Sequence, residues 1–345
     1  MSEHPAAEGL GSQPFARPRL TAPCISLVVP VFNEESAVGL FMAAIEKALP
    51  RTQFQLQVVF VNDGSRDGTL AALTSLATRD ERLMIVNLSR NFGKEAALTA
   101  GLNHAWGDVV VPLDVDLQDP PDLIPQMLEK WREGFDVVLA KRASRSSDGW
   151  LKRLTADRFY RIFNMITTIP IPENVGDFRL IDRRVVTALA ELGDRNRFMK
   201  GLFAWTGFPA ATVEYVRAER AAGVSKWNYW KLWNFALDGI FSFSTTPLRV
   251  WTYIGALIAA CATIYAAVVF TRTLLYGADT PGYASLMMVV LLLSAVQLIS
   301  IGIIGEYIGR LFIEAKRRPI YVVNGVYCRG PVPEARAADV APVSK

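Results

Sequence analysis

Two stretches near the C-terminal end constrain this chain more than any other feature. Val250–Phe270 runs for 21 residues without a charged side chain, and Leu286–Ile304 for 19. A helix needs about 20 apolar residues to cross roughly 30 Å of hydrocarbon. The two stretches therefore predict a pair of transmembrane helices joined by a short loop; the alternative is a pair of buried core helices. They also carry much of the positive mean hydropathy, +0.22, of a chain that is 51% hydrophobic. The connecting loop holds Arg272 and Asp279. The outer flanks hold Arg249 on one side and Arg310, Lys316, Arg317 and Arg318 on the other. The excess of cations outside the pair predicts that both flanks, and the large N-terminal part, lie in the cytoplasm. Gln297 falls mid-span and is expected to face another helix rather than lipid. With the small residues Gly255 and Gly302, it suggests a homo-oligomer.

The rest of the chain reads as one large soluble unit between two tails. The first 22 residues are rich in Pro, Gly, Ala and Ser and lack the apolar core of a secretory signal. The last 16 are Pro- and Ala-rich. Both are expected to be disordered. A net charge of +4 is too small for a nucleic-acid footprint. Cys24, Cys261 and Cys328 are far apart, which argues against a thiolate zinc site or a disulfide framework.

From Cys24 to Ala140 short apolar runs alternate with helical spacing. Strands are predicted at Ile25–Phe32, Gln55–Val61, Leu83–Leu88, Val109–Leu113 and Val137–Ala140. Helices are predicted around Val38–Leu49, Leu70–Leu76, Lys94–Trp106 and Asp122–Glu133. This alternation predicts an α/β fold with a mainly parallel, helix-covered sheet. In such sheets ligands bind beyond the carboxyl ends of the strands. The polar clusters fall there: Asn33-Glu34, Asp63, Arg90-Asn91 and Asp114–Asp119. Two later segments, Trp150–Ile169 and Lys226–Phe243, mix basic and aromatic residues as helices at a lipid headgroup layer do, with an ordinary helix packed on the sheet as the alternative, above all for the first.

Asp114-Val115-Asp116 follows an apolar strand. At a strand end both carboxylates can address one Mg²⁺ or Mn²⁺, one directly and one through water, with substrate phosphates completing the shell. Such a cation offsets charge growing on a diphosphate leaving group. Gln118 and Asp119 add oxygens before Pro120-Pro121. Turn and capping roles compete with this reading, as does a simple Asp-Gly turn at Asp63-Gly64. If functional, Asp63 addresses a nucleobase. Asp177 reads as an acid in a loop: a general base, a group that orients the acceptor, or the partner of Arg179. Arg220 and Lys226 flank Gly223-Val224-Ser225 and form a candidate clamp for a diphosphate or a lipid phosphate. His4 and His104 are the two histidines, and His104 lies in a helical pattern that favours a structural role.

Together the runs Val29–Glu35, Asn62–Thr69, Asn91–Glu95 and Asp114–Pro121 resemble the family 2 glycosyltransferases. Within these they look like the polyprenyl-phosphate type, which includes the bactoprenol glucosyltransferases and the dolichyl-phosphate mannose synthases. Gly176–Leu180, Arg197–Phe203, Gly223–Trp227 and the two late spans extend the match over roughly residues 24–320. The resemblance implies a glycosyltransferase A-type, Rossmann-like domain and a divalent cation at Asp114 and Asp116 with Gln118 nearby. It implies nucleotide contacts from Pro30, Phe32, Glu34 and Asp63, with Lys94 among the substrate-binding residues. It assigns the donor diphosphate to Arg220 and Lys226, the lipid phosphate to Arg142 and Arg158, and catalytic roles to Asp116 and Asp177. Phe32 and Val115 depart from the commoner Tyr and Ala, which leaves the donor sugar open.

The expected organisation is a tail over 1–22, a cytosolic domain over 23–225, a juxtamembrane amphipathic helix over 226–247, two spans within 248–309 and a cytosolic segment over 310–345. The expected function is inverting transfer of a hexose, foremost glucose from UDP-glucose, to undecaprenyl phosphate at the cytoplasmic face of the inner membrane. Mannosyl or N-acetylhexosaminyl transfer to the same lipid is the alternative donor reading. A processive synthase lacks support, because no Gln-x-x-Arg-Trp motif occurs. A non-catalytic scaffold is disfavoured by the two retained aspartates.

Overall fold

The computed structural model describes residues 19–142, 175–195, 197–215, 246–276 and 282–329. Strand β1 (Cys24–Val31) leads to helix α1 (Glu35–Ala48), then β2 (Gln55–Asn62), α2 (Thr69–Ala77), β3 (Leu83–Leu88), α3 (Lys94–His104) and β4 (Val109–Pro112). A short 3₁₀ turn at Pro121–Leu123 opens α4 (Ile124–Arg132), which leads into β5 (Val137–Arg142). After it come β6 (Val175–Asp182), α5 (Arg183–Glu191), α6 (Met199–Trp205) and β7 (Ala210–Tyr215). The long helices α7 (Thr246–Tyr276) and α8 (Tyr283–Lys316) precede the last strand, β8 (Val323–Cys328).

The strands form one sheet in the order β7-β5-β6-β4-β1-β2-β3-β8. β4, β1, β2 and β3 run parallel, as does the β5–β7 pair, whereas β6 and β8 join antiparallel. The central strands are apolar on both faces because both are covered. On one side Phe41, Ile45 and Leu73 pack with Met127 of α4 against Ile25, Leu27 and Phe60. On the other, Leu98, Val185 and Leu202 pack against Val28, Val59 and Val110. α3 lies so close to β1 that a Cβ on Gly101 would stand 2.2 Å from Val28 Cγ1. Chain order reverses between β1 and β4, and a crevice opens at the carboxyl ends on either side of such a reversal.

Five strands match the sequence expectation to within two residues at each end. Gly176–Arg179, expected as a loop, instead lies within β6, along β5 where the antiparallel register shifts between Leu139 and Lys141. The segment after the apolar helices, expected only as a cytosolic extension, supplies β8 at the sheet edge. His104 keeps a structural role, its Nδ1 lying 2.8 Å from the Ala100 carbonyl oxygen. The stretches around Arg158, Arg220 and Lys226, and the two basic aromatic segments, lie outside the described residues.

α7 and α8 are longer than the apolar runs that announced them. At 1.5 Å per residue, the 34 residues of α8 reach roughly 51 Å, well beyond the hydrocarbon thickness. The stretches long and apolar enough to cross a membrane are Tyr253–Tyr276 and Leu292–Lys316. Within the single chain their side chains are not core: Leu257 is 66% exposed, Leu292 65% and Leu298 70%, so the two helices do not pack into the interior of this chain. Gln297 is exposed in the single chain, and a Cβ on Gly255 or Gly302 would meet nothing within 4 Å.

Candidate active site

The carboxylates that the sequence singled out converge beyond β1, β2 and β4. β4 ends at Pro112, and Val115 then turns into the core at 5% exposure. Asp114 and Asp116 flank it on the open side. Leu117 takes a left-handed φ of 56°, a conformation that a bulky residue adopts only when its surroundings impose it. The turn brings the Gln118 amide back to within 3.2 Å of Asp116 Oδ1. It also leaves Gln118 Oε1 buried with no hydrogen-bond partner among the described residues. Two carboxylates and an unsatisfied amide oxygen form an all-oxygen donor set that suits Mg²⁺ or Mn²⁺. No group of three or more His, Cys, Asp and Glu side chains placed to hold one metal ion occurs among the described residues, so a cation here would draw its remaining ligands from substrate and water.

Lys94, at the first turn of α3, joins this cluster to β6. Its Nζ lies 2.8 Å from Asp114 Oδ1 and 2.8 Å from Asp177 Oδ2. Arg179 is therefore not the main partner of Asp177. It donates to the Gly176 carbonyl at 2.8 Å, and its guanidinium stacks 4.2 Å over the Phe203 ring. Burial would raise the Asp177 carboxyl, but the Lys94 and Lys200 charges outweigh it and hold it well below the usual carboxylate range. Asp177 thus stays ionised, and keeps the stability its charge lends, until pH falls below that range.

Glu95 behaves in the opposite way. Burial, then the charge of Asp177, pushes it from 4.5 to about 7, although its carboxylate accepts the Met199 amide at 3.2 Å. Between those values the folded protein holds a proton that the unfolded chain has released, so folding becomes less favourable as pH rises through the window. Thermal unfolding of the purified wild type is expected to show Tm falling from about pH 5 to about pH 7.5. Glu95→Gln should shrink that fall. An equal fall in both proteins contradicts the placement of Glu95 beside Asp177.

The expected nucleotide residues divide into two roles. Phe32 lines a cleft of ≈ 550 Å³ together with Asn62, Gly64, Arg66, Asn87 and Arg90, a size that suits a small polar ligand. Asp63 is 4% exposed and acts as a clamp: its two oxygens accept the Phe92 and Gly93 amides at 2.7 and 3.0 Å. Burial raises its carboxyl, and those two amides only partly oppose the rise. Pro30 pairs with Val61, one residue before the β1–β2 ladder ends at Val31, and the Glu34 amide donates to Thr69 Oγ1 at 2.9 Å. The loop after β3 folds directly over Gly64, whose φ is 65° and whose Cβ would come within 2.5 Å of Arg90 C and Asn91 N. Gly64→Val is expected to push that loop away and to weaken nucleotide binding at least ~10-fold, measured by calorimetry; unchanged affinity contradicts the assignment of the cleft.

Arg142 ends β5 and sits on the far side of the cluster. It is hydrogen-bonded to Tyr215, whose hydroxyl donates to the buried Asp119. Burial, then Asp119, pushes that phenol up to about 12. The Arg142 Nε is buried without a partner among the described residues, as befits a guanidinium set to receive an anion. Sequence reasoning missed Glu95, Tyr215 and Asn87 as members of these networks. They come from separate elements, and no local spacing links them.

The family models agree with this architecture. Glycosyl transferase family 2 matches residues 26–189, and the GtrB C-terminal hairpin matches residues 246–311. The bactoprenol glucosyl transferase of Shigella phage SfV is 54% identical over 300 residues, which cover 87% of this chain and 98% of that protein. The chain belongs to glycosyl transferase family 2. A prophage bactoprenol glucosyl transferase homolog of Escherichia coli K12 is 51% identical over 88% of this chain and 99% of its own length. An uncharacterised glycosyltransferase of Synechocystis is 50% identical over 88% and 95%. The two family models thus match, in this family 2 chain, most of the sheet-forming residues and the paired apolar helices.

Proposed function

We propose that this family 2 enzyme transfers glucose from UDP-glucose to undecaprenyl phosphate at the cytoplasmic face of the inner membrane. The reading is carried by one juxtaposition: a cleft and carboxylate cluster at the carboxyl edge of a sheet whose last strand comes straight from an exposed apolar helix. A water-soluble donor and a lipid-borne acceptor meet at such a boundary. The relatives named as bactoprenol glucosyl transferases, matched over nearly their whole length, support the same donor and acceptor.

In this reading Asp114, Asp116 and Gln118 hold a divalent cation, which when bound lowers the cost of charge on the departing diphosphate. Phe32 and the loop after β3 seat the nucleoside, and Asp63 holds that loop in place. Arg142, with Arg158, receives the acceptor phosphate. One phosphate oxygen attacks the anomeric carbon as the bond to the nucleoside diphosphate breaks, and the diphosphate leaves with the electron pair. The acceptor phosphate is already ionised near neutral pH, so no strong base is required. Asp177, held ionised by Lys94, is a weak base and serves to position groups and shape the local field.

Inversion from an α-linked donor predicts a β-linked glucosyl phospholipid. NMR of the extracted product decides this, and an α linkage contradicts a single in-line displacement. Transfer should stop when EDTA is added and return with Mg²⁺ or Mn²⁺; full activity in excess EDTA contradicts the cation assignment.

A further inference from the structure

The strand that follows the membrane helices also walls the cleft. β8 is antiparallel to β3, so its first residues lie beside the carboxyl end of β3, where the cleft opens. Asn87 pairs with Gly325 and Leu88 with Val323, so one step along β3 is matched by two along β8. Asn324 is the extra residue. A bulge of this kind leaves one residue unpaired and re-aims its side chain, and bulges are frequent beside functional sites. Here the bulged residue is exposed and lines the cleft.

We propose that Asn324 contacts the nucleobase and sets the enzyme's preference among pyrimidine donors. This rests on the reading of the cleft as the nucleoside subsite. Uracil presents two carbonyl acceptors and one N–H donor, a pattern that a side-chain amide can meet from either end. Of the other amides of the wall, Asn62 is committed at both ends and Asn87 at its oxygen. Asn62 Nδ2 donates to Asn87 Oδ1 at 2.8 Å, and the Ser65 amide donates to Asn62 Oδ1 at 3.3 Å. The start of β8 is fixed from below: the Ser89 amide donates to the Val322 carbonyl at 2.9 Å, and Asn103 Nδ2 donates to the Tyr321 hydroxyl at 2.9 Å. Only residues 317–322 separate this wall from the end of α8. The Arg195 amide, donating to Glu314 Oε1 at 2.7 Å, ties that helix end to the catalytic domain. Donor recognition thus depends on chain that lies beyond the membrane hairpin, more than 200 residues from the other walls of the cleft.

The test uses full-length protein in detergent, with UDP and CDP binding measured by calorimetry for wild type, Asn324→Ala and Asn324→Asp. Asn324→Ala should weaken UDP about 5- to 10-fold, the scale of one lost hydrogen bond. Both variants should shift the UDP-to-CDP ratio, while Tm and the KM for the lipid phosphate stay at the wild-type value. Wild-type binding of UDP, with Kd and UDP-to-CDP ratio unchanged within twofold in both variants, overturns this inference and leaves the glycosyltransferase reading intact. A wild type that binds neither nucleotide overturns both.

Discussion

Asp116→Asn is expected to lower kcat by roughly 10³-fold without disturbing membrane insertion or fold. Asn keeps an oxygen where Asp116 Oδ1 accepts the Gln118 amide, so the turn that follows β4 survives. What disappears is one of the two negative charges that the cluster offers a divalent cation. Because Gln118 contributes an uncharged oxygen, Asp114 alone would remain, and Asp114 is already shared with Lys94. Labelled-sugar transfer in isolated membranes, with expression normalised, measures the loss. Affinity for Mn²⁺, followed by electron paramagnetic resonance, should fall with it. A rate within tenfold of wild type contradicts the assignment of Asp116.

Asp177→Asn is expected to lower kcat about 10²-fold while leaving the shape of the pH–rate profile unchanged between about pH 6 and 9. Lys94 and Lys200 hold the Asp177 carboxyl ionised far below neutrality, so its protonation cannot set the acid limb of the profile. The loss comes from Lys94, which would keep Asp114 as its one carboxylate partner and compete there with the bound cation. A general base behaves differently: its removal flattens the acid limb. A variant whose acid limb disappears would return Asp177 to the role of proton acceptor.

The sequence made half of this fold legible for a physical reason. β1 to β5 are apolar runs covered on both faces, and the helices between them carry their own periodicity. The three remaining strands hide their character. β6 reads V-G-D-F-R-L-I-D, and its charged Arg179 and Asp182 are only 3% and 5% exposed, since each has a partner supplied by the fold. β7 alternates at the sheet edge with largely exposed residues. β8 is six residues long, and its partner β3 lies more than 200 residues earlier. The site divides in the same way. Asp114, Asp116 and Gln118 stand together in sequence and were found together. The Lys94 bridge between two strands, the rise of the Glu95 carboxyl and the bulge at Asn324 arise only when distant segments pack. The apolar runs announced the pair of long apolar helices but not their lengths, because α8 continues through charged residues such as Glu306 and Arg310, which pair at 2.7 Å along its surface.

The proposed reaction takes place at one boundary, between water and lipid. Purified full-length protein in lipid nanodiscs containing undecaprenyl phosphate, given labelled UDP-glucose, GDP-mannose and UDP-N-acetylglucosamine in parallel, tests it most directly. The prediction is a chloroform-extractable glycolipid formed with UDP-glucose, dependent on Mg²⁺ or Mn²⁺ and on the lipid phosphate. A glycolipid formed only from another donor would correct the sugar. No glycolipid from any donor, with the protein folded and the lipid present, would contradict the account.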